Sequence, residues 1–143
     1  MVDIVLPSRF ARQIGLEGAG AYPSECCGIL FGSDVAGQRV IERLEPVPNV
    51  FDQAERAHRF SISPERIMRA ERHASEHGYS VVGFYHSHPD HLARPSEFDR
   101  TNAWPYYSYV IVSILNGEPG DLTSWVLDDE TKTFIRQEII EAE

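Results

Sequence analysis

The stretch Val81–Asp99, VVGFYHSHPDHLARPSEFD, constrains the fold more than any other part of the chain. Val81 to Tyr85 is an unbroken apolar run, and a strand that is apolar at successive positions is buried on both faces and needs a covering layer on each side. The run ends in His-Ser-His. Side chains alternate faces along a strand, so His86 and His88 point the same way and Ser87 the other, and two imidazoles converge on one region. After Pro95, Ser96 and Asp99 form an S-x-x-D array that reads as the opening turn of a helix with Ser96 as N-cap. That turn can carry an oxygen ligand back to the histidines.

The remaining elements read as partners of this strand. Pro7 to Gly20 has a thin apolar stripe at Phe10, Ile14 and Leu16 and reads as a helix ended by its glycines. Tyr22-Pro23-Ser24 is a bend, and Cys26 to Phe31 a short buried strand with Glu25 at its entrance. Gly37 to Leu44 is expected to pair with it as a hairpin. Glu45 to Ala57 lacks periodicity and reads as a loop long enough to suggest a binding role; His58 to Ile62 is a short strand candidate. Ser63-Pro64-Glu65 starts a helix that Gly78 stops after His77, with Ile67, Met68, Ala70 and Ala74 as its apolar face. Ser96 to Trp104 reads as a short helix, and Tyr107 to Leu115 as a strand turned at Asn116-Gly117. Leu122 to Leu127 is a further strand, while Thr131 to Ile140 reads either as strand or as a final helix. Hairpin links and helical crossovers both occur, which predicts an α/β fold around one mixed central sheet.

Composition narrows the functions available. With 143 residues the chain is expected to form a single domain over 1–143. Thirteen basic and 22 acidic residues give a formal charge of −9, which argues against nucleic-acid backbone binding, since that needs a basic footprint. The sequence has neither a segment near the ~20 continuous apolar residues of a spanning helix nor a basic-then-apolar leader. A cytoplasmic protein without a membrane segment is therefore expected. Cys26 and Cys27 are adjacent and point to opposite faces of a strand, which disfavours a disulfide between them and fits a reducing compartment. Packing in the core is the expectation for both, with a nucleophilic thiol as the alternative.

His86, His88 and Asp99 offer two nitrogens and one oxygen, the ligand mix of a catalytic zinc site whose fourth position is left to water. The competing reading makes Ser96 and Asp99 a helix cap and no more. His91 supplies another alternative, a His86-His88-His91 triad with Asp99 outside it. His73 and His77 stand four residues apart on a helix, a spacing that can bind metal, but without a third ligand nearby they read as helix-end residues.

The array E…H-S-H-P-x(6)-S-x-x-D, formed by Glu25, His86, Ser87, His88, Pro89, Ser96 and Asp99, resembles the motif of the JAMM (MPN+) zinc metalloprotease family. The resemblance extends to YPSECCGILFG, GFYHSHP and YSYVIVSI and is greatest to the compact prokaryotic members. It implies a cytidine-deaminase-like α/β/α sandwich, zinc (Zn2+) as the metal, and hydrolysis of a peptide or isopeptide bond. It further implies that His86, His88 and Asp99 hold the zinc, that Glu25 activates the zinc-bound water as general base, and that Ser96 stabilises the oxyanion. By the same resemblance the substrate is a ubiquitin-like protein of the sulfur-carrier type, cut after its C-terminal Gly-Gly. Two other functions compete. A zinc deaminase shares the fold, but its C-x-x-C signature is missing from this sequence. A zinc-containing binding module that holds a ubiquitin-like tail without cleaving it has no use for a positioned base, so Glu25 discriminates against it.

Overall fold

In a computed structural model, which describes residues 2–143, the apolar run at Val81 lies inside strand β4 (Ser80–Pro89), and the sheet extends outward from it. The elements before it are β1 (Asp3–Pro7), α1 (Ser8–Ala21), β2 (Cys27–Val35), β3 (Gln38–Val47), a 3-10 turn (Gln53–Glu55) and α2 (Pro64–His77). After it come α3 (Glu97–Thr101), β5 (Ser108–Leu115), β6 (Glu118–Leu127), β7 (Phe134–Gln137) and β8 (Ile139–Ala142). The sheet has the order β7-β6-β5-β4-β2-β3-β1-β8. It is mixed, with β4 parallel to β5 and antiparallel to β2. The hairpin turns are short because their residues accept positive φ: Ala36-Gly37 at 53° and 79°, and Asn116-Gly117 at 53° and 81°.

The layers are those of an α/β/α sandwich. Helix α1 covers one face, over a core that includes Ile4, Leu6, Ile14, Leu30, Tyr85 and Ile114. Helix α2 covers the other, where Ile29, Phe31, Val81 and Phe84 meet Ala70 and Ala74. A β-bulge determines which residues of β4 face which layer. Leu30 pairs with Gly83 and Phe31 with Val81, so Val82 is the extra residue and the alternation changes phase there. Phe84, His86 and His88 consequently follow Val81 onto the α2 side, and Tyr85 and Ser87 face α1.

The ends of the sheet meet. Strands β7 and β8 occupy opposite edges yet are separated only by Glu138, whose carbonyl accepts the Ile4 N–H at 3.0 Å. The sheet is rolled, which brings its two edge strands together, each of them paired on one side only. Buried Gln137 ties the seam: its Oε1 accepts the hydroxyls of Ser108 and Ser124, both at 2.8 Å, and its Nε2 donates to the Val2 carbonyl at 2.7 Å.

Several expectations change. The five-residue β1 is too short to show a period and was not foreseen. Helix α1, Ser8–Ala21, agrees with the expected extent to within one residue at each end; Gly18 lies inside it, where a Cβ would stand 2.8 Å from Ile114 Cδ1, so the glycine admits close packing on β5. His58 to Ile62 is not a strand; a side-chain bond from Asn49, described below, takes the place of ladder pairing. Met68 is 64% exposed rather than part of the apolar face. Helix α3 stops at Thr101, and Thr131 to Ile140 contributes to two strands with no helix. The limits of α2 are those expected, with Ser63 Oγ accepting the Arg66 N–H and Gly78 at φ 78° as its C-cap. No helix among the described residues is long and apolar enough to cross a membrane.

Candidate metal centre

Strand alternation brings His86 and His88 to one point, and a helix cap brings Asp99 to them. Ser96 Oγ accepts the Asp99 N–H at 3.0 Å, and Asp99 Oδ2 accepts the Ser96 N–H at 2.8 Å, a reciprocal capping box. The same Oδ2 lies 3.3 Å from His86 Nε2 and 3.1 Å from His88 Nε2, and the two nitrogens are 3.2 Å apart. These are the dimensions of a metal face. Zinc bonds of ~2.0 Å at tetrahedral angles set ligand atoms about 3.3 Å apart.

The protonation of the ring nitrogens fits that reading. His88 Nδ1 lies 2.9 Å from the Leu92 carbonyl, which can only accept, so Nδ1 carries a proton and Nε2 is the nitrogen turned to the site. Burial alone would raise the Asp99 pKa, but the charge and hydrogen bonds of His86, with those of His88 and the Ser96 N–H, outweigh it and hold the carboxyl well below the usual carboxylate range. The hydrogen bonds to Asp99 place protons between Oδ2 and the ring nitrogens, and a cation at the same point would take the place of those protons. His86 is 1% exposed, and burial lowers its pKa against the opposing pull of Asp99. Its ring stacks on Phe60 at 4.4 Å, and its Nδ1 has no hydrogen-bond partner among the described residues.

Glu25 approaches from the start of β2. Its side chain is buried, and Oε1 has no partner among the described residues. Glu25, His86 and His88 can offer ligand atoms within 4.8 Å of one another, a looser group than the triangle with Asp99. That spacing suits a carboxylate set back from a metal by one water. Burial first, and then the charge of Asp99, push its pKa up to about 9. The histidine strand itself helps to locate this residue: Ser87 Oγ accepts the Cys26 N–H at 2.8 Å, and the Ser87 N–H donates to the Cys26 carbonyl at 3.2 Å. Alternation predicts that Ser87 faces away from the metal side, but only the fold shows what it meets there.

Because Ser96 Oγ accepts from Asp99, its own hydroxyl proton is free to donate outward. Ser96, Glu25 and His88 share a cavity of about 370 Å³ with His58, His91 and Arg94 at its rim. A second cavity of about 350 Å³ opens on His86 and Asp99 and is walled by Phe51, Phe60, Phe98 and Trp104. Phe60, whose ring covers a candidate ligand, carried no signal in the sequence.

The other candidates fall elsewhere. His91 is exposed, with its ring against His58 at 5.8 Å, and does not join the triangle. His73 Nε2 is bonded to the Tyr79 hydroxyl at 2.8 Å, and His77 Nδ1 to the His73 carbonyl at 2.8 Å. Burial pushes the Cys26 and Cys27 thiols up to about 11 and about 12, which keeps both protonated and poor as nucleophiles.

Comparison with known proteins adds an independent line. The family described as prokaryotic homologs of the JAB domain matches residues 7–128, a span that includes every residue of the candidate site. A desampylase of Haloferax volcanii is 40% identical over 99 residues, which cover 68% of this chain and 68% of that protein. A probable TtuB-protein conjugate cleaving protease of Thermus thermophilus is 36% identical over 76 residues, 53% of this chain and 50% of that protein. Among solved structures, a protein from Desulfitobacterium hafniense superposes with a TM-score of 0.83 at 30% identity, over 98% of this chain and 93% of the other.

Proposed function

The chain belongs to the family of prokaryotic homologs of the JAB domain and is a hydrolase of the JAMM type, and from that premise we propose a zinc-dependent isopeptidase or peptidase that cuts after the C-terminal Gly-Gly of a ubiquitin-like protein. The observation that carries this reading is the convergence of His86 Nε2, His88 Nε2 and Asp99 Oδ2 at 3.1 to 3.3 Å beside the buried carboxyl group of Glu25, whose Oε1 has no partner among the described residues. His86, His88 and Asp99 would hold the zinc, which when bound would supply Lewis acidity and lower the pKa of water toward neutral pH.

The chain's own residues perform the proton work. Glu25 takes the proton of the attacking water on a carboxylate oxygen and returns it to the departing amine nitrogen. Burial and the charge of Asp99 raise its pKa to about 9 before any cation is bound, which strengthens it as acceptor in the first half of that cycle; a cation on the neighbouring ligands would draw that value down and leave the carboxylate free to act as base. The free Ser96 hydroxyl donates to the oxygen on which negative charge develops. Leu92 fixes the orientation of His88 through its carbonyl. The buried, unsatisfied Glu25 weighs against a binding module that holds a tail without cutting it, because an orphaned carboxylate costs stability and gives such a module nothing in return.

The substrate follows from shape and from kinship. Two glycines lack side chains and can pass between the segments that crowd the candidate site, and the relative in Thermus thermophilus is named for cleaving a protein conjugate. We take the ubiquitin-like partner to be of the sulfur-carrier type and the setting to be the cytoplasm, which suits the free thiols of Cys26 and Cys27. The test is incubation of the zinc-loaded protein with ubiquitin-like proteins extended past Gly-Gly by a linear peptide or by an isopeptide-linked lysine, read by mass spectrometry. Release of the mature Gly-Gly end by the wild type, and its loss in a zinc-replete Glu25→Gln variant, is expected. Tail binding without cleavage across the panel overturns the enzymatic reading in favour of the binding module.

A further inference from the structure

Glu25 lies outside the sheet it borders. Strand β2 begins at Cys27, so no ladder pairing holds the Glu25 backbone. Both of its backbone groups are bonded instead to the segment that follows β3: its N–H donates to the Arg56 carbonyl at 2.7 Å, and its carbonyl accepts from Asn49 Nδ2 at 3.1 Å. The placement of the carboxylate therefore depends on a loop, and that loop has little regular structure of its own. Asn49 supplies its order. Its Nδ2 also donates to the Arg59 carbonyl at 3.0 Å, while its Oδ1 accepts the N–H groups of Phe51 at 3.0 Å and Ser61 at 3.1 Å. Two donor hydrogens and two acceptor positions are all used, which is the full capacity of an amide side chain.

We propose that Asn49 is the positioning residue for Glu25, tying the Glu25 carbonyl to the loop at residues 49–61 so that the carboxylate stands at a set distance from His86 and His88. This rests on the reading of Glu25 as the proton carrier. No other side chain fits all the roles. Aspartate keeps the acceptors for Phe51 and Ser61 but has no hydrogens for Glu25 and Arg59; glutamine adds a methylene to a site bonded on four sides; serine has one hydrogen to donate. A side chain that only closed the loop would use Arg59, Phe51 and Ser61 and would leave the Glu25 carbonyl alone. The bond to Glu25 is the one that reaches the chemistry.

Asn49→Asp and Asn49→Ala test this by two readouts. The first is amide hydrogen exchange in the metal-free and the zinc-loaded protein. In Asn49→Asp the Glu25 amide, whose own partner is the Arg56 carbonyl, is expected to exchange faster because a Glu25 carbonyl released from Asn49 lets this segment swing away from Arg56, with Phe51 and Ser61 still protected; in Asn49→Ala all three should speed up. The second is turnover of a ubiquitin-like protein fused through Gly-Gly to a reporter. At full zinc occupancy kcat should fall about a hundredfold, the scale of a misplaced catalytic group, with KM within about twofold of wild type, a split that mere loss of folded protein does not give. Unchanged exchange at Glu25 in both variants, or wild-type kcat in zinc-replete Asn49→Asp, overturns the proposal. If Asn49→Ala fails to fold, Asn49→Asp carries both readouts alone. If the wild type cleaves nothing, the substrate reading has failed, and exchange at Glu25 still decides whether Asn49 holds it.

Discussion

Glu25 is the residue that the fold treats worst, and its pH dependence shows it. The folded carboxyl titrates at about 9 against an ordinary 4.5. Below pH 4.5 it is protonated in both folded and unfolded chains and resembles glutamine; above that value the unfolded chain ionises and gains hydration that the folded chain cannot, so stability drains away as pH rises toward 9. In metal-free protein, Glu25→Gln should match wild type near pH 4 and melt progressively higher than wild type toward pH 8.5, as thermal unfolding can follow. A flat difference would mean that the carboxylate is hydrated. Ser96 separates two duties in a similar way. Ser96→Ala should lose about 1 kcal/mol of stability with the cap and about a hundredfold in kcat with the hydroxyl donor. An unchanged kcat with a lowered melting point would leave it a cap only. The His86-His88-Asp99 grouping could be read from alternation and the S-x-x-D turn, because both rules are local. The unpartnered state of Glu25, and the Phe60 ring over His86, could not.

Elements announced themselves where their ends are satisfied by neighbours in sequence. Ser63 and Gly78 bound α2 because a cap and a left-handed stop need only the adjacent turns. Helix α1 was legible in extent, but the use of its internal glycines was not: Gly18 looks like a breaker until β5 is seen against it. Gly18→Val should therefore lower stability, by roughly 1–3 kcal/mol for overpacking, measured by urea unfolding. An unchanged midpoint would show that Ile114 and Ser87, which both crowd a Cβ there, can move aside. The bulge at Val82 is the element-scale feature with the largest consequence. Without it the phase of β4 would turn His86 and His88 toward α1 and away from Asp99.

At the scale of the whole molecule, the rolled sheet depends on a polar seam in an otherwise apolar interior. Gln137 joins Ser108, Ser124 and Val2, and buried Arg39 reaches the same network through Ser108 Oγ at 3.1 Å while its Nε pairs with Asp34 at 2.9 Å. Gln137→Leu removes an acceptor shared by two buried hydroxyls and a donor to the N-terminal strand. It should cost roughly 1–3 kcal/mol for each group left unpaired and raise amide exchange in β1 and β8 ahead of β4; equal exchange throughout would show that the seam does not hold the closure. By itself the sequence determined what is decided within a few residues: the turns, the caps, the alternation that aims two imidazoles together, and the order of the candidate ligands. Tertiary structure decided which face those imidazoles take, that Cys26 and Ser87 meet across 61 residues, that Asn49 reaches Glu25, and that the two edges of the sheet join at Glu138. Each of these depends on groups distant in the chain, and their bonds form only once strand pairing and packing have overcome the entropy of bringing them together.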